Sequence, residues 1–390
     1  MSIRLGSLLE ERLNIIYEMR CEGLEKITPH LIGPAGIGKS TFVYEWAMRK
    51  ARELGLEFVD ADFVTPENVD NYLDGDRFFI FKDWRLTSLD PVDLSGQPRP
   101  VNSKYVAFLP LVTARLLNAC PGVLFLDEFM NENRQNMKAA AFKVVRDYKI
   151  GDIALNPKTI VIAASNTSKY SSIVSSMPKP LRDRFDFIEV EAPTIEDWAD
   201  WMDRTYGRER WDREVLAYLM WRPSDFLANV EDVVEDEGWE PPATPRGWSY
   251  VALAFKKIKG KKLSAEEEEK MLYSIAKGKL GRVGESLMAF LENKVPRFEE
   301  LVEKPEVIRR FKVEQKYLAA LTVAEAINAN AKNIAKAKAF IKYVAEADDR
   351  EFISALFAFL QRHRRSEVYM FVKDDEKIVR CLELTGRALL

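Results

Sequence analysis

The chain has 390 residues, with 58 lysines and arginines against 61 aspartates and glutamates and 47% hydrophobic residues. That is long enough for two or three domains with sizeable cores. It is too nearly neutral to coat nucleic acid by bulk charge, although a local basic groove stays open. Cys21, Cys120 and Cys381 form no disulfide framework or zinc pattern, and two histidines, His30 and His363, exclude a histidine-rich metal site. No apolar run reaches the ~20 residues of a bilayer span, and the N-terminus lacks a signal peptide's apolar stretch; the expectation is a soluble, cytoplasmic protein.

In chain order, short apolar runs at 31–32, 78–81, 123–126, 160–164 and 187–190 alternate with helical patterns. Such alternation predicts an α/β fold, a parallel sheet with helices on both faces. The first run leads into Gly33-Pro34-Ala35-Gly36-Ile37-Gly38-Lys39-Ser40, which fits G-x-x-x-x-G-K-[ST], and a helix is predicted over 41–54. In that context the glycines let backbone N–H groups wrap phosphates, and the helix start adds partial positive charge. The expected nucleotide-binding residues are thus Gly33, Pro34, Ala35, Gly36, Ile37, Gly38, Lys39, Ser40 and Thr41. Lys39 is expected to reach the β- and γ-phosphates and Ser40 to bind magnesium (Mg2+).

The run at 122–126 ends in Asp127-Glu128. Ligands in parallel sheets bind beyond the carboxyl ends of the strands. This predicts Asp127 as the second magnesium ligand, acting mostly through water, and Glu128 as the general base for an attacking water. Alone, two carboxylates at a helix start explain the pair nearly as well; the phosphate loop upstream decides for the functional reading. The strand at 159–165 ends at Asn166, which by itself reads as the opening of a turn.

Past Pro193-Thr194 the pattern becomes helical, broken at 260–262 and 278–284, with a proline-rich acidic loop at 235–245. The expected division is a nucleotide-binding α/β region over 1–192, a helical region over 193–295 and a further helical region over 296–390. Thr244 is the expected N-cap and Pro245 the first residue of a helix that carries Arg246 in its first turn. The cluster Arg362-His363-Arg364-Arg365 reads either as a site for an acidic partner or nucleic acid or, as is commoner for such clusters, as a solvated helix end.

The phosphate loop, the acidic strand end and the order of the motifs after them resemble the AAA+ ATPases over roughly residues 25–300. The resemblance implies ATP as the nucleotide and a helical lid over 193–295. Asn166 is similar to the family's sensor 1. Leu181-Arg182-Asp183-Arg184-Phe185 is similar to the segment that carries an arginine finger, with Arg184 as the finger and Arg182 in reserve. Arg246 resembles sensor 2. The implied catalytic set is Lys39, Glu128, Asn166, Arg184 and Arg246.

Within that family the chain is most similar to the MoxR-like group, on three features. The first is Asp90-Pro91-Val92-Asp93-Leu94-Ser95-Gly96, where helix 2 carries an insert. The second is a hairpin over 146–158 around Ile150-Gly151-Asp152, before the sensor 1 strand. The third is Met177-Pro178-Lys179-Pro180-Leu181. The resemblance implies a homo-oligomer, a hexameric ring, that remodels or matures a client protein, such as one with a von Willebrand factor A domain. Two other readings stand beside it: a DNA- or RNA-dependent motor, and a nucleotide-dependent switch with slow turnover. Tyr105-Val106-Ala107-Phe108 is read either as a pore element or as an anchor for the next helix.

Overall fold

A computed structural model describes residues 3–101, 105–130, 134–166, 182–228 and 240–384. The chain divides into two compact units, Met1–Pro193 and Thr194–Leu390.

The first unit contains, in order, β1 (Ile3–Arg4), α1 (Ser7–Cys21), β2 (Thr28–Ile32), α2 (Lys39–Glu53), β3 (Glu57–Asp60) and β4 (Phe78–Arg85). There follow α3 (Pro91–Ser95), β5 (Gln97–Val101), β6 (Tyr105–Leu109), α4 (Val112–Ala119), β7 (Gly122–Asp127) and α5 (Gln135–Asp147). Then come β8 (Lys149–Ile150), β9 (Ile153–Ala154), β10 (Thr159–Ser165) and β11 (Phe185–Glu191). Seven strands form one sheet in the order β1-β11-β2-β10-β7-β4-β3, with every pair parallel. The fold is therefore α/β, as the alternation predicts, with the glycine-rich loop joining β2 to α2.

The central strands β2 and β10 are buried at every position, which is why they read as continuous apolar runs. Alternation assigns the two faces. Leu124 and Leu126 of β7 belong to the core built with α4 and α5. Phe79 of β4 lies against Tyr17 of α1, and Tyr17 against Trp46 of α2; Phe81 lies against Tyr44 of α2. So α1 and α2 cover one face and α4 and α5 the other. β1 and β3 sit at the edges, too short to register as periodic patterns.

Two antiparallel hairpins interrupt the layers. β5–β6 stands between α3 and α4. Its residues 105–108 form most of β6; their side chains lie outside the described ones. β8–β9 is shorter than the hairpin expected over 146–158, because Arg146 belongs to the last turn of α5. Gly151 closes this turn at φ 59° and its N–H donates to Leu94 O of α3 at 3.0 Å. A Cβ there would meet Ser95 O at 2.3 Å, so the hairpin seats on α3 only through a glycine.

The second unit is helical: α6 (Ile195–Tyr206), α7 (Arg213–Trp221), α8 (Pro245–Lys259), α9 (Ala265–Leu280), α10 (Arg282–Leu291) and α11 (Phe298–Glu303). It continues with α12 (Val313–Ala329), α13 (Lys332–Glu346), α14 (Arg350–Phe359), α15 (Arg362–Val372) and α16 (Glu376–Leu384). One core runs through it from Ile195 to Ile378, around Trp211, Tyr218, Trp248 and Phe290. Gly278 lies inside α9, so the break expected over 278–284 is confined to Gly281, at φ 58°. The basic cluster at 362–365 opens α15, at its amino end, with His363 exposed and Arg364 and Arg365 half-buried. Arg365 donates to Ala358 O and Leu360 O, both at 3.4 Å; those carbonyls end α14 and have no partner in their own helix. No helix among the described residues is long and apolar enough to cross a membrane.

Candidate functional site

The loop from β2 to α2 is shaped by three glycines. Gly33 N–H donates to Ser165 O at 3.3 Å, and a Cβ on Gly33 would meet Val190 O at 2.4 Å. Gly36 and Gly38 take φ values of 71° and 106°, which side chains other than glycine's rarely allow. Gly38 is the N-cap of α2 and has no side chain to cap with. The first amides of α2 therefore face the loop without an intrahelical acceptor, an arrangement suited to an anion.

Lys39 is buried, with 6% exposure. Its Nζ donates to Gly33 O and Pro34 O, each at 2.8 Å, and to Asn166 Oδ1 at 3.3 Å. Next to it, Ser40 Oγ donates to Asp127 Oδ2 at 2.7 Å. These bonds bring the end of β7 and the end of β10 against the start of α2, beyond the carboxyl ends of three strands. The cationic, hydroxyl, carboxylate and amide side chains of Lys39, Ser40, Asp127 and Asn166 picked out from sequence thus converge, and Glu128 directly follows Asp127. They fit a magnesium–nucleoside triphosphate: amides and an ammonium for the phosphates, a hydroxyl and a carboxylate for the cation.

Glu128 takes φ 55°, a left-handed conformation that costs a non-glycine residue on the order of 1 kcal/mol. Neighbouring bonds hold it there. Glu128 N–H donates to Asp127 Oδ1 at 2.8 Å, and Phe129 N–H to Ala164 O at 2.9 Å. Thr87, just beyond the end of β4, donates its hydroxyl to Glu128 Oε2 at 2.7 Å. Strained backbone of this kind gathers at functional sites.

Three further residues border the site, and no motif points to them. Thr87 is one. Asp83, on β4, is paired in register with Phe125 of β7, two residues before Asp127. Burial first, and then the negative charge of Asp127, push its carboxyl up to about 6. His30, three residues before Gly33, is fully buried, and its Nε2 lies 2.8 Å from Ser165 Oγ. Burial, with the nearby Lys39 charge, pushes its imidazole down to about 3, so the ring is neutral. A lone histidine in an apolar strand is the one signal that marks it.

Arg184 stands apart from this group. β11 pairs with β2 from Phe185↔Thr28 to Glu189↔Ile32, and Arg184 O accepts from Thr28 N–H at 2.9 Å. Arg184 is exposed at the amino end of that pair. From there to Gly33 is roughly 20 Å along the strand at ~3.3 Å per residue, which an arginine side chain does not span. Within its own chain it does not meet the phosphate loop. Arg182 is half-buried beside it, while residues 177–181 lie outside the described ones. In the second unit Thr244 Oγ1 accepts from Gly247 N–H at 3.2 Å. This makes Thr244 the N-cap and Pro245 the first helical residue, with Arg246 exposed in the first turn.

No family model matches the chain, and no curated protein matches it. Among solved structures it is similar to a RuvB variant of Thermotoga maritima, with 15% identity over 79% of this chain and 78% of that one and a TM-score of 0.33. It is similar to the Aeropyrum pernix ORC1 protein solved in complex with DNA, with 13% identity over 85% and 82% and a TM-score of 0.38. The Aeropyrum pernix ORC2 protein, in ADPNP and ADP complexes, gives 12% identity over 92% and 87% and a TM-score of 0.38. None of these likenesses bears on what this chain binds.

Proposed function

We propose that the chain is an AAA+ ATPase that hydrolyses ATP with magnesium and couples turnover to remodelling of a partner protein. The observation that carries this reading is the joining of the phosphate loop to the acidic strand end by the 2.7 Å Ser40–Asp127 bond, with Lys39 bonded to Asn166 beside it. Each group then has a task in one reaction. The α2 amides and Lys39 bind the phosphate oxygens. Ser40 and Asp127 hold magnesium, whose charge offsets that developing on the phosphates. Glu128 accepts a proton from the water that attacks the γ-phosphorus, as the bond to the bridging oxygen breaks and ADP and phosphate form. Asn166 orients that water. Arg184, out of reach of its own site, serves the site of a neighbouring copy, and Arg246 contributes from the helical region.

A homo-oligomeric ring accords with that use of Arg184, and six copies are what the MoxR-like resemblance implies. The client preference is for protein. At the β8–β9 hairpin the cations Arg146 and Lys149 stand beside the anions Asp147 and Asp152; Arg146 is held by Asp147 through two 2.8 Å bonds, and Lys149 also acts on the Asp147 carboxylate. This leaves little unopposed charge there for a phosphate backbone. The test is steady-state ATP hydrolysis by the full chain and by Lys39→Ala, alone and with single-stranded DNA, duplex DNA or an unfolded polypeptide. Hydrolysis that Lys39→Ala abolishes and DNA leaves unchanged supports the reading. Clear stimulation by DNA, lost at higher salt, replaces it with a nucleic-acid motor, and no hydrolysis at all replaces it with a binding switch.

A further inference from the structure

A histidine is an expensive residue at position 30. The strand around it is buried at every position, and one ring nitrogen, Nδ1, is buried without a hydrogen-bond partner among the described residues. A buried polar atom left unpaired costs stability, and phenylalanine would fill the same space without that cost. The other nitrogen shows what the histidine gains. Nε2 meets Ser165 Oγ at 2.8 Å, and the same Oγ accepts from Met130 N–H at 3.0 Å. Ser165 precedes Asn166, and Met130 follows Glu128 by two residues. One imidazole therefore fixes a hydroxyl that pins the segment after the proposed base to the strand that ends in the proposed water-orienting amide.

The ring's faces and edges do a second thing. Phe129 packs against His30 edge-on at 5.5 Å, and Phe185 and Phe187 pack at 5.3 and 5.5 Å. Phe129 and Phe185 also touch each other at 5.4 Å. Phe185 directly follows Arg184, and Phe187 is the register partner of His30 across β2–β11. His30 is thus the shared neighbour of Glu128's segment, Asn166's strand and the strand that begins beside Arg184.

We propose that His30 is a positioning residue that links the nucleotide site of its own chain to the strand that begins directly after Arg184, so that the state of one site is conveyed to the arginine lent to the next. This rests on the ATPase reading above. His30 touches no reacting atom; it acts through Ser165 on the Glu128–Met130 segment and through the phenylalanines on β11. Both connections end in rigid packed elements, which carry a displacement rather than absorb it.

The experiment compares wild type with His30→Phe, Ser165→Ala and Ser165→Thr as full chains. His30→Phe keeps the packed ring and removes Nε2. It is expected to lower kcat about tenfold, the scale seen when a partner that orients a functional group is removed, with KM unchanged and the melting midpoint no lower. Ser165→Ala removes the His30 bond and the Met130 bond together, so it should cost at least as much, and the double variant should be no worse than Ser165→Ala alone; Ser165→Thr, which keeps the hydroxyl, should retain most of the rate. Hydrogen exchange of the nucleotide-free proteins gives a readout that needs no activity. His30→Phe should speed exchange at Met130, and binding of ADP should slow exchange at residues 185–188 in wild type but not in the variant. If wild type neither binds nor hydrolyses ATP, the ATPase reading falls, and unaltered exchange at Met130 in His30→Phe overturns the link separately. Wild-type turnover in His30→Phe, multiplicative losses in the double variant, or a lower melting midpoint that accounts for the lost rate also overturns it.

Discussion

Thr87 Oγ1 donates to Glu128 Oε2 at 2.7 Å, tying the end of one parallel strand to a carboxylate at the end of its neighbour. A hydrogen bond donated to a carboxylate fixes its direction, and a general base works only when its oxygen faces the proton that it takes. Thr87→Val keeps the shape and removes the donor. Turnover should fall about tenfold, in keeping with the loss of an orienting partner, while nucleotide affinity holds. Equal kcat in the two proteins would mean that the strained backbone alone holds Glu128.

Glu128→Gln tests the base itself. The amide occupies nearly the same volume but does not accept a proton at neutral pH. ATP binding should persist, since the Lys39 and Ser40–Asp127 bonds do not involve the Glu128 side chain. Hydrolysis should fall by roughly 10²–10⁴, the contribution of a positioned base. Binding measured by titration and turnover measured by phosphate release separate the two effects, and a rate within a few-fold of wild type would place the base elsewhere.

Arg184 makes a prediction about assembly. Because it does not reach the phosphate loop of its own chain, Arg184→Ala should bind ATP normally and lose turnover, by about a thousandfold or more. Mixing it with Lys39→Ala chains should restore part of the rate, since some sites then combine an intact loop with a donated arginine. Mixed assemblies with no recovered hydrolysis would remove Arg184 from the reaction.

How much of this was readable beforehand depends on where the information lies. The phosphate loop is a local device: its glycines, Lys39 and Ser40 stand at fixed spacing because one turn and one helix start must wrap one group. Asp127 and Asn166 are readable for a related reason, since each ends a buried strand whose apolar run marks it. Thr87 is different. It reaches Glu128 across 41 positions, and only the pairing of β4 with β7 brings the two together. His30 is similar, because its value comes from Ser165, Phe129 and Phe185, which the sheet order assembles. β1, of two residues, and β3, with the mixed sequence Glu-Phe-Val-Asp, escape because an edge strand needs no continuous apolar run.

Asp83 gives a prediction about stability and pH. One carboxylate oxygen, Oδ1, is buried without a partner among the described residues. Burial and then Asp127 push the group up to about 6 from 3.8, with Asp62 acting in the same direction and Arg85 and Lys82 against it. The folded chain thus holds a proton at Asp83 over a range where the unfolded chain has released it. Stability must then fall as pH rises through that range, from about 4 to about 6, because the unfolded state binds fewer protons. Above it the charged carboxylate costs the fold on the order of 2 kcal/mol; near pH 3.8 and below, the cost fades. Asp83→Asn removes the charge at every pH. Urea unfolding should therefore find the variant more stable than wild type at pH 7, with the gap narrowing toward pH 4. A gap of the same size at both pH values would trace the difference to packing, and a variant less stable at pH 7 would mean that the carboxylate is satisfied in the folded chain.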